Sequence, residues 1–173
     1  NTFASPWACK PISMGVDLVI HSTTKYLGGH SDLIGGAVVG SKELISKIFM
    51  GRVHFGGSPD PHNCYLLERG MRTLHARMPL LTSNAATLAQ RLDTHPNVVR
   101  VQHVSLPSHT EYEVAQRVVP KGCGMLGIVV DGGDEGAMNF MSKLKLFYEA
   151  TSLGGVESLI EVPATSSHMF VPE

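Results

Sequence analysis

Two short apolar runs, at 17–20 and 33–39, flank a polar stretch that holds hydroxyls, one lysine and a glycine pair. Each run is too brief for a helix and is bounded by glycine or polar residues, so both are predicted as buried strands. Two buried strands imply a layered α/β core. The preceding residues 1–16, with Pro6, Pro11 and Gly15, read as loop. Beyond Gly40, Ser41 is placed to cap a helix whose Leu44, Ile45, Ile48 and Phe49 share one face, which is expected to be core. Breakers at Gly56-Gly57, Ser58-Pro59 and Asp60-Pro61 predict a loop over 51–61.

Helical spacing resumes over 62–78, where Arg69, Arg72 and Arg77 are assigned a structural role, as arginines so spaced pair with carboxylates or lie in solvent. Pro79 is expected to open a new helix with the stripe Leu81, Ala85, Leu88 and Leu92, a junction between two parts of the chain. From Val98 the elements shorten: a strand at 98–104, a helix at 111–119, a strand at 125–130, a helix capped by Asp134, and extended chain at 147–151. This density predicts a small α+β domain, one antiparallel sheet covered by helices on one face. Ala137, Phe140, Met141 and Leu144 form the apolar side of the last helix, and Met138 and Met141 read as core filler.

Composition narrows the function classes. With 173 residues and 43% apolar content the chain can bury one substantial core or two small ones. Its 14 basic and 15 acidic residues are interspersed, which leaves no electrostatic footprint for nucleic acid or an anionic membrane. Cys9, Cys64 and Cys123 are odd in number and far apart, which disfavours a disulfide framework or a zinc knuckle and points to a reducing, cytoplasmic setting. No run of about 18 apolar residues is present, and the first residues have neither the basic nor the apolar part of a signal.

The polar stretch carries the candidate chemistry. Ser22 and Thr24 are two apart, so in an extended segment their hydroxyls point the same way, and Gly28 and Gly29 let backbone amides approach a ligand; the set suits a phosphate beside the amine of Lys25. The alternative is a solvated turn after a strand. Nine histidines make no HExxH, which argues against a metal, and the glycines form neither a GxxxxGK[ST] nor a GxGxxG loop.

The full string, Asp17-Leu, three residues, Ser22-Thr-Thr-Lys-Tyr-Leu27, one residue, then Gly29-His-Ser-Asp32, resembles the lysine signature of the pyridoxal-phosphate enzymes of cysteine and methionine metabolism. Arg69-Gly70 with Arg72-Thr-Leu74, and Ser152-Leu-Gly-Gly-Val-Glu-Ser158, resemble two further elements of that family in the same order. The resemblance implies an α/β fold: the C-terminal part of a fold-type I pyridoxal-phosphate transferase. Residues 1–80 would be the remainder of the large cofactor-binding domain and 81–173 a small α+β C-terminal domain. It further implies pyridoxal 5'-phosphate held as a Schiff base on Lys25 and oriented by Ser22, Thr23 and Thr24, with Thr23 where the family often has alanine. Ser152 matches the residue that holds the substrate carboxylate.

The implied activity is elimination or replacement at Cβ or Cγ of a small amino-acid substrate, namely cystathionine, methionine or an O-acylhomoserine, in a homo-oligomer built as a tetramer of tight dimers. Thr151 stands where several lyases and synthases of the family have glutamate, and the segment 162–168 departs from the usual His-Pro-Ala-x-Met-Thr-His, so the choice among these substrates stays open. The family's ring-stacking tyrosine and pyridine-nitrogen aspartate belong before Asn1 and its carboxylate-clamping arginine after Glu173. The chain is therefore expected to be a piece of a longer enzyme. The alternative is a catalytically incompetent fragment or partial homologue that acts as an assembly partner.

Overall fold

The computed structural model describes residues 1–170. Its first part runs α1 (Ser5–Ala8), a 3-10 turn (Pro11–Met14), β1 (Leu18–Ser22), a π-type turn (Thr23–Leu27), β2 (Gly36–Gly40), α2 (Lys42–Phe55) and α3 (Pro61–Met71). The second part follows as α4 (Leu74–Asp93), β3 (Val98–Gln102), α5 (Tyr112–Val118), β4 (Gly127–Val130), α6 (Gly133–Ser142), β5 (Phe147–Glu149), β6 (Ser158–Ile160) and a 3-10 turn (Pro163–Thr165). Residues 171–173, the end of the expected small domain, lie outside the described residues.

β1 and β2 pair antiparallel, from Leu18 opposite Gly40 to Ser22 opposite Gly36. Both expected strands exist, but neither is buried on both faces. Val19 and His21 are buried while Ile20 is 65% and Val39 51% exposed, because successive residues of a strand face opposite ways and the described residues cover one face of the ladder. Residues 1–16 likewise are not all loop, since α1 and the Pro11–Met14 turn each carry a proline in their first two positions, Pro6 and Pro11, whose fixed φ suits the first helical turn.

Ser41 caps α2, its Oγ accepting from the Leu44 amide at 3.3 Å. The apolar face expected to be core is largely in solvent: Leu44 and Ile45 are half-buried, whereas Ile48 and Phe49 are exposed. The helix also runs through the expected loop as far as Phe55, because Gly51 holds helical geometry and the first glycine of that segment with positive φ is Gly56, at +83°. Only 56–60 is loop. Asp60 then caps α3, accepting from the His62 and Asn63 amides at 2.9 and 3.0 Å, with Pro61 as the first helical residue.

Pro79 does not open a helix. It lies inside α4, whose start at Leu74 leaves the proline within the first two turns, where the missing N–H forfeits one ladder bond. α4 packs on β3 and on the Thr23–Leu27 turn, and so ties the second part of the chain to the first. Ala89, Val101 and Leu106 form one buried cluster behind it, and Ala4, Ala8 and Cys9 form another.

The single antiparallel sheet expected after Val98 is replaced by two ladders, β3 with β4 antiparallel and β5 with β6 parallel. A parallel pair requires the chain to double back between its strands, and the connection 150–157 does this by passing over the turn that carries Lys25. The cap of α6 is Gly132, at φ +89°, rather than Asp134, which sits in the first turn, where a negative charge suits the helix N-terminus. Met141 is buried as expected, but Met138 is 41% exposed and fills no core.

Candidate functional site

β1 delivers its last residue, Ser22, to the edge of the site, where the Ser22 amide donates to Thr2 Oγ1 at 2.9 Å. The chain then winds into the π-type turn, closed by the Gly28 amide on the Thr23 carbonyl at 2.8 Å, with Lys25 at φ −90° and ψ −130° breaking the helical path. Such single widened turns recur at functional sites because they re-aim one side chain. Ser22 and Thr24 are therefore not neighbours on one extended face: Ser22 ends a strand and Thr24 lies in the turn. The Thr24 hydroxyl accepts from the Gly35 amide at 3.0 Å and points a long 3.5 Å bond at the Gly35 carbonyl. Thr23 is buried, and its amide donates to that same carbonyl at 2.9 Å.

Three supports fix the turn from below. Tyr26 is 2% exposed, and burial pushes its phenol up to about 12. Arg77 on α4 donates through Nη2 to the carbonyls of Tyr26 and Gly70 at 3.0 and 2.9 Å, and through Nε to Thr73 Oγ1 at 3.0 Å. Burial lowers the pKa of that guanidinium, but a group with five donors and a very high starting pKa stays charged. Gly70 on α3 lies directly on the Gly28 carbonyl, where no Cβ fits. Arg77 is structural as expected, but it clamps carbonyls of the turn and neither pairs with a carboxylate among the described residues nor lies in solvent, while Arg72 pairs with Glu68 at 2.7 Å in solvent and Arg69 is exposed.

From above comes the connection 150–157. Lys25 Nζ donates to Ser152 Oγ at 2.7 Å, a contact between residues 127 apart in sequence. Ser152 has φ +91°, a left-handed conformation that non-glycine residues adopt only under constraint. Gly154, also left-handed at φ +86°, rests on the backbone of Lys25 and Tyr26. Ser31 Oγ donates to Glu157 Oε1 and closes the same junction from the side. A cleft of ≈580 Å³ opens here, lined among others by Thr24, Asp32, Asn63, Thr151, Ser152 and Glu157.

Of the predicted site residues, Lys25 and Ser152 are brought into contact, Thr24 and Thr151 line the cleft beside them, Ser22 ends β1 without lining the cleft, and Thr23 is buried in the turn. Two supports escaped the residue-by-residue reading: the Ser31–Glu157 contact and the Arg77 clamp. Ser31 and Glu157 both lie within the matched phrases, so their signal was present in the sequence without a partner being assigned. Among the described residues the ion pairs are Lys47–Glu43 and Arg72–Glu68, so the Lys25 amine is held by a hydroxyl and not neutralised by a carboxylate.

Comparison with known proteins gives this geometry its context. The family model for Cys/Met metabolism PLP-dependent enzymes matches residues 1–173. Cystathionine gamma-synthase 1, chloroplastic, of Arabidopsis thaliana is 41% identical over 173 residues, covering 100% of this chain and 31% of the relative. Cystathionine gamma-lyase of Dictyostelium discoideum is 41% identical, covering 99% of this chain and 45% of the relative. Among solved structures, cystathionine gamma synthase from Xanthomonas oryzae pv. oryzae, in complex with aminoacrylate and cysteine, superposes with a TM-score of 0.94 at 40% identity, over 98% of this chain and 44% of that one. MetB from Corynebacterium glutamicum superposes with a TM-score of 0.95 at 42% identity, over 98% and 44%. The chain thus spans less than half the length of these relatives. With a family match over its whole length, it belongs to the pyridoxal-phosphate-dependent enzymes of cysteine and methionine metabolism.

Proposed function

We propose that the protein to which this chain belongs eliminates or replaces a group at Cβ or Cγ of a small sulfur amino acid or homoserine ester, and that Lys25 is its reactive amine. One observation carries the reading: the Lys25 amine meets Ser152 Oγ at 2.7 Å beside a cleft of ≈580 Å³, joining the two phrases on which the family resemblance rests. The relatives matched are cystathionine gamma-synthases and cystathionine gamma-lyases, which favours an enzyme over an assembly partner.

The family is pyridoxal-phosphate-dependent, and the residues present fit that group. An amine that no carboxylate pairs among the described residues is available to a carbonyl carbon, and Thr24, which lines the cleft, and Ser22, two residues before it at the end of β1, carry half-buried hydroxyls that can donate to a phosphate. Thr24 keeps donor capacity because its own bond to the Gly35 carbonyl is long. Thr23 supports the pair from beneath by fixing Gly35. When bound, pyridoxal phosphate supplies an electron sink that stabilises negative charge at the substrate Cα.

The chain's own residues then supply position and proton transfer. For a group on Cβ, Lys25 Nζ would take the proton from Cα and hand it to that group as its bond to Cβ breaks; for a group on Cγ, the same amine would serve to remove protons from Cα and then Cβ before the group departs. Ser152 Oγ, already within hydrogen-bond distance of that amine, also accepts the role of orienting the substrate carboxylate, so that carboxylate and Cα are fixed relative to one base. Thr151 lines the cleft without a carboxylate for a distal ammonium, so methionine and O-acylhomoserines are kept beside cystathionine as candidate substrates. In the same reading, residues 1–80 belong to the large cofactor-binding domain and 81–173 to the small one, in a tetramer of tight dimers in the cytoplasm. No helix among the described residues is long and apolar enough to cross a membrane.

The test is a substrate panel on the intact protein: release of a thiol and a 2-oxo acid from cystathionine or methionine, and replacement on an O-acylhomoserine. Turnover of at least one, abolished in Lys25→Ala, is expected. Undiminished turnover in Lys25→Ala contradicts the assignment.

A further inference from the structure

The connection that carries Ser152 touches the lysine turn at two further places. At one, Gly154 rests on the lysine backbone, its α-carbon so near that a Cβ would lie 2.6 Å from the Tyr26 nitrogen and 2.7 Å from the Lys25 carbonyl carbon. At the other, Ser31 Oγ donates to Glu157 Oε1 across 126 residues of sequence. Gly155, between them, is buried with no space for a side chain against Ser31 Oγ and the Glu157 carboxylate. Ser31 and Ser152 have φ of +57° and +91°, where an L side chain stays only if its surroundings hold it. The hydroxyl–carboxylate contact is the side-chain bond at the Glu157 end of the connection, and the serine–lysine contact is the one at its Ser152 end.

We propose that Glu157, acting through Ser31, is a positioning residue that seats the 152–157 segment on the lysine turn and thereby holds Ser152 Oγ on Lys25 Nζ. The proposal rests on the reading of Lys25 as the reactive amine. The Ser31 hydroxyl holds the Glu157 carboxyl below the usual carboxylate range, so the acceptor is ionised at neutral pH. Without it, Ser152 is free to leave its left-handed conformation, and its hydroxyl leaves the amine with it.

Trace acetylation of the intact protein after removal of pyridoxal phosphate, with Lys25 labelling read by peptide mass spectrometry, tests this without turnover. Ser152→Ala is expected to raise Lys25 labelling about threefold, the loss of one partly solvated hydrogen bond to the amine. Glu157→Ala and Ser31→Ala should raise it to the same level. Glu157→Gln should stay near the parent, because an amide oxygen still accepts from Ser31. The double variant Glu157→Ala/Ser152→Ala should add nothing to Ser152→Ala alone. Lys42 and Lys47, on α2, should label as in the parent throughout, which separates a local release from general unfolding. The positioning role is overturned if Glu157→Ala and Ser31→Ala leave Lys25 at the parent level while Ser152→Ala raises it, or if the effects of Glu157→Ala and Ser152→Ala multiply. It is overturned too if Ser152→Ala changes nothing, since there is then no contact to position. Failure of Lys25 to take up pyridoxal phosphate alongside the expected labelling pattern would instead count against the proposed function and leave the positioning role standing.

Discussion

The guanidinium of Arg77 occupies the space that a side chain on Gly29 would need. Gly29 is also left-handed, at φ +74°, so two independent costs meet at one position. Gly29→Ala is expected to destabilise the protein by about 2–4 kcal/mol, the sum of a left-handed alanine and an overpacked contact. Gly70→Ala, which collides with the Gly28 carbonyl, should cost about 1–3 kcal/mol. Gly51→Ala is the opposite case: a helix interior with open space around it, where alanine should add about 0.5–1 kcal/mol. Urea unfolding of the three variants checks the order, and a neutral Gly29→Ala would show that the turn is not held as described.

Arg77 should not be replaceable by lysine. Its fork reaches the Tyr26 and Gly70 carbonyls and Thr73 Oγ1 at once, and a point-like ammonium cannot reproduce that spread. Arg77→Lys is expected to cost about 1–2 kcal/mol, since at least one part-buried carbonyl is left without its donor. Thermal unfolding measures this, and a lysine variant as stable as the parent would rule out the clamp.

Tyr26 gives a pH signature at the alkaline end. Its phenol is pushed up to about 12 by burial, against about 10 in an unfolded chain. The folded state therefore prefers the neutral phenol, and that contribution is complete below about pH 10 and lost as pH rises from about 10 through 12, to the extent of roughly 2–3 kcal/mol. Comparing the stability of the parent and Tyr26→Phe across this range isolates the effect, because phenylalanine cannot ionise. Parallel curves would mean that the phenol is not buried as described.

The lysine turn was legible in the sequence because its residues are local and their spacing is distinctive, whereas the contacts that make it a site are long-range. Nothing in the order of residues pairs Ser31 with Glu157, or shows that Thr24 spends its acceptor on the Gly35 amide. Element type was recovered where local chemistry decides it, as with the Ser41 cap of α2. It failed where tertiary context decides. Pro79 sits inside α4, which begins at Leu74 and forgoes one ladder bond there, and the stripe at Ile48 and Phe49 lies in solvent because no described element covers it. Sheet pairing was the least legible, since the β5–β6 pair depends on the connection that returns over Lys25.

If Lys25 is the amine that carries the cofactor, borohydride fixes the two together at that residue. The intact protein is incubated with pyridoxal phosphate, reduced with borohydride and digested, and the modified lysine is located by mass spectrometry. One reduced pyridoxal phosphate per chain is expected on the peptide containing Lys25, with no comparable labelling in Lys25→Ala. Labelling spread over other lysines, such as Lys42 and Lys47 on α2, with Lys25 unmodified would contradict it.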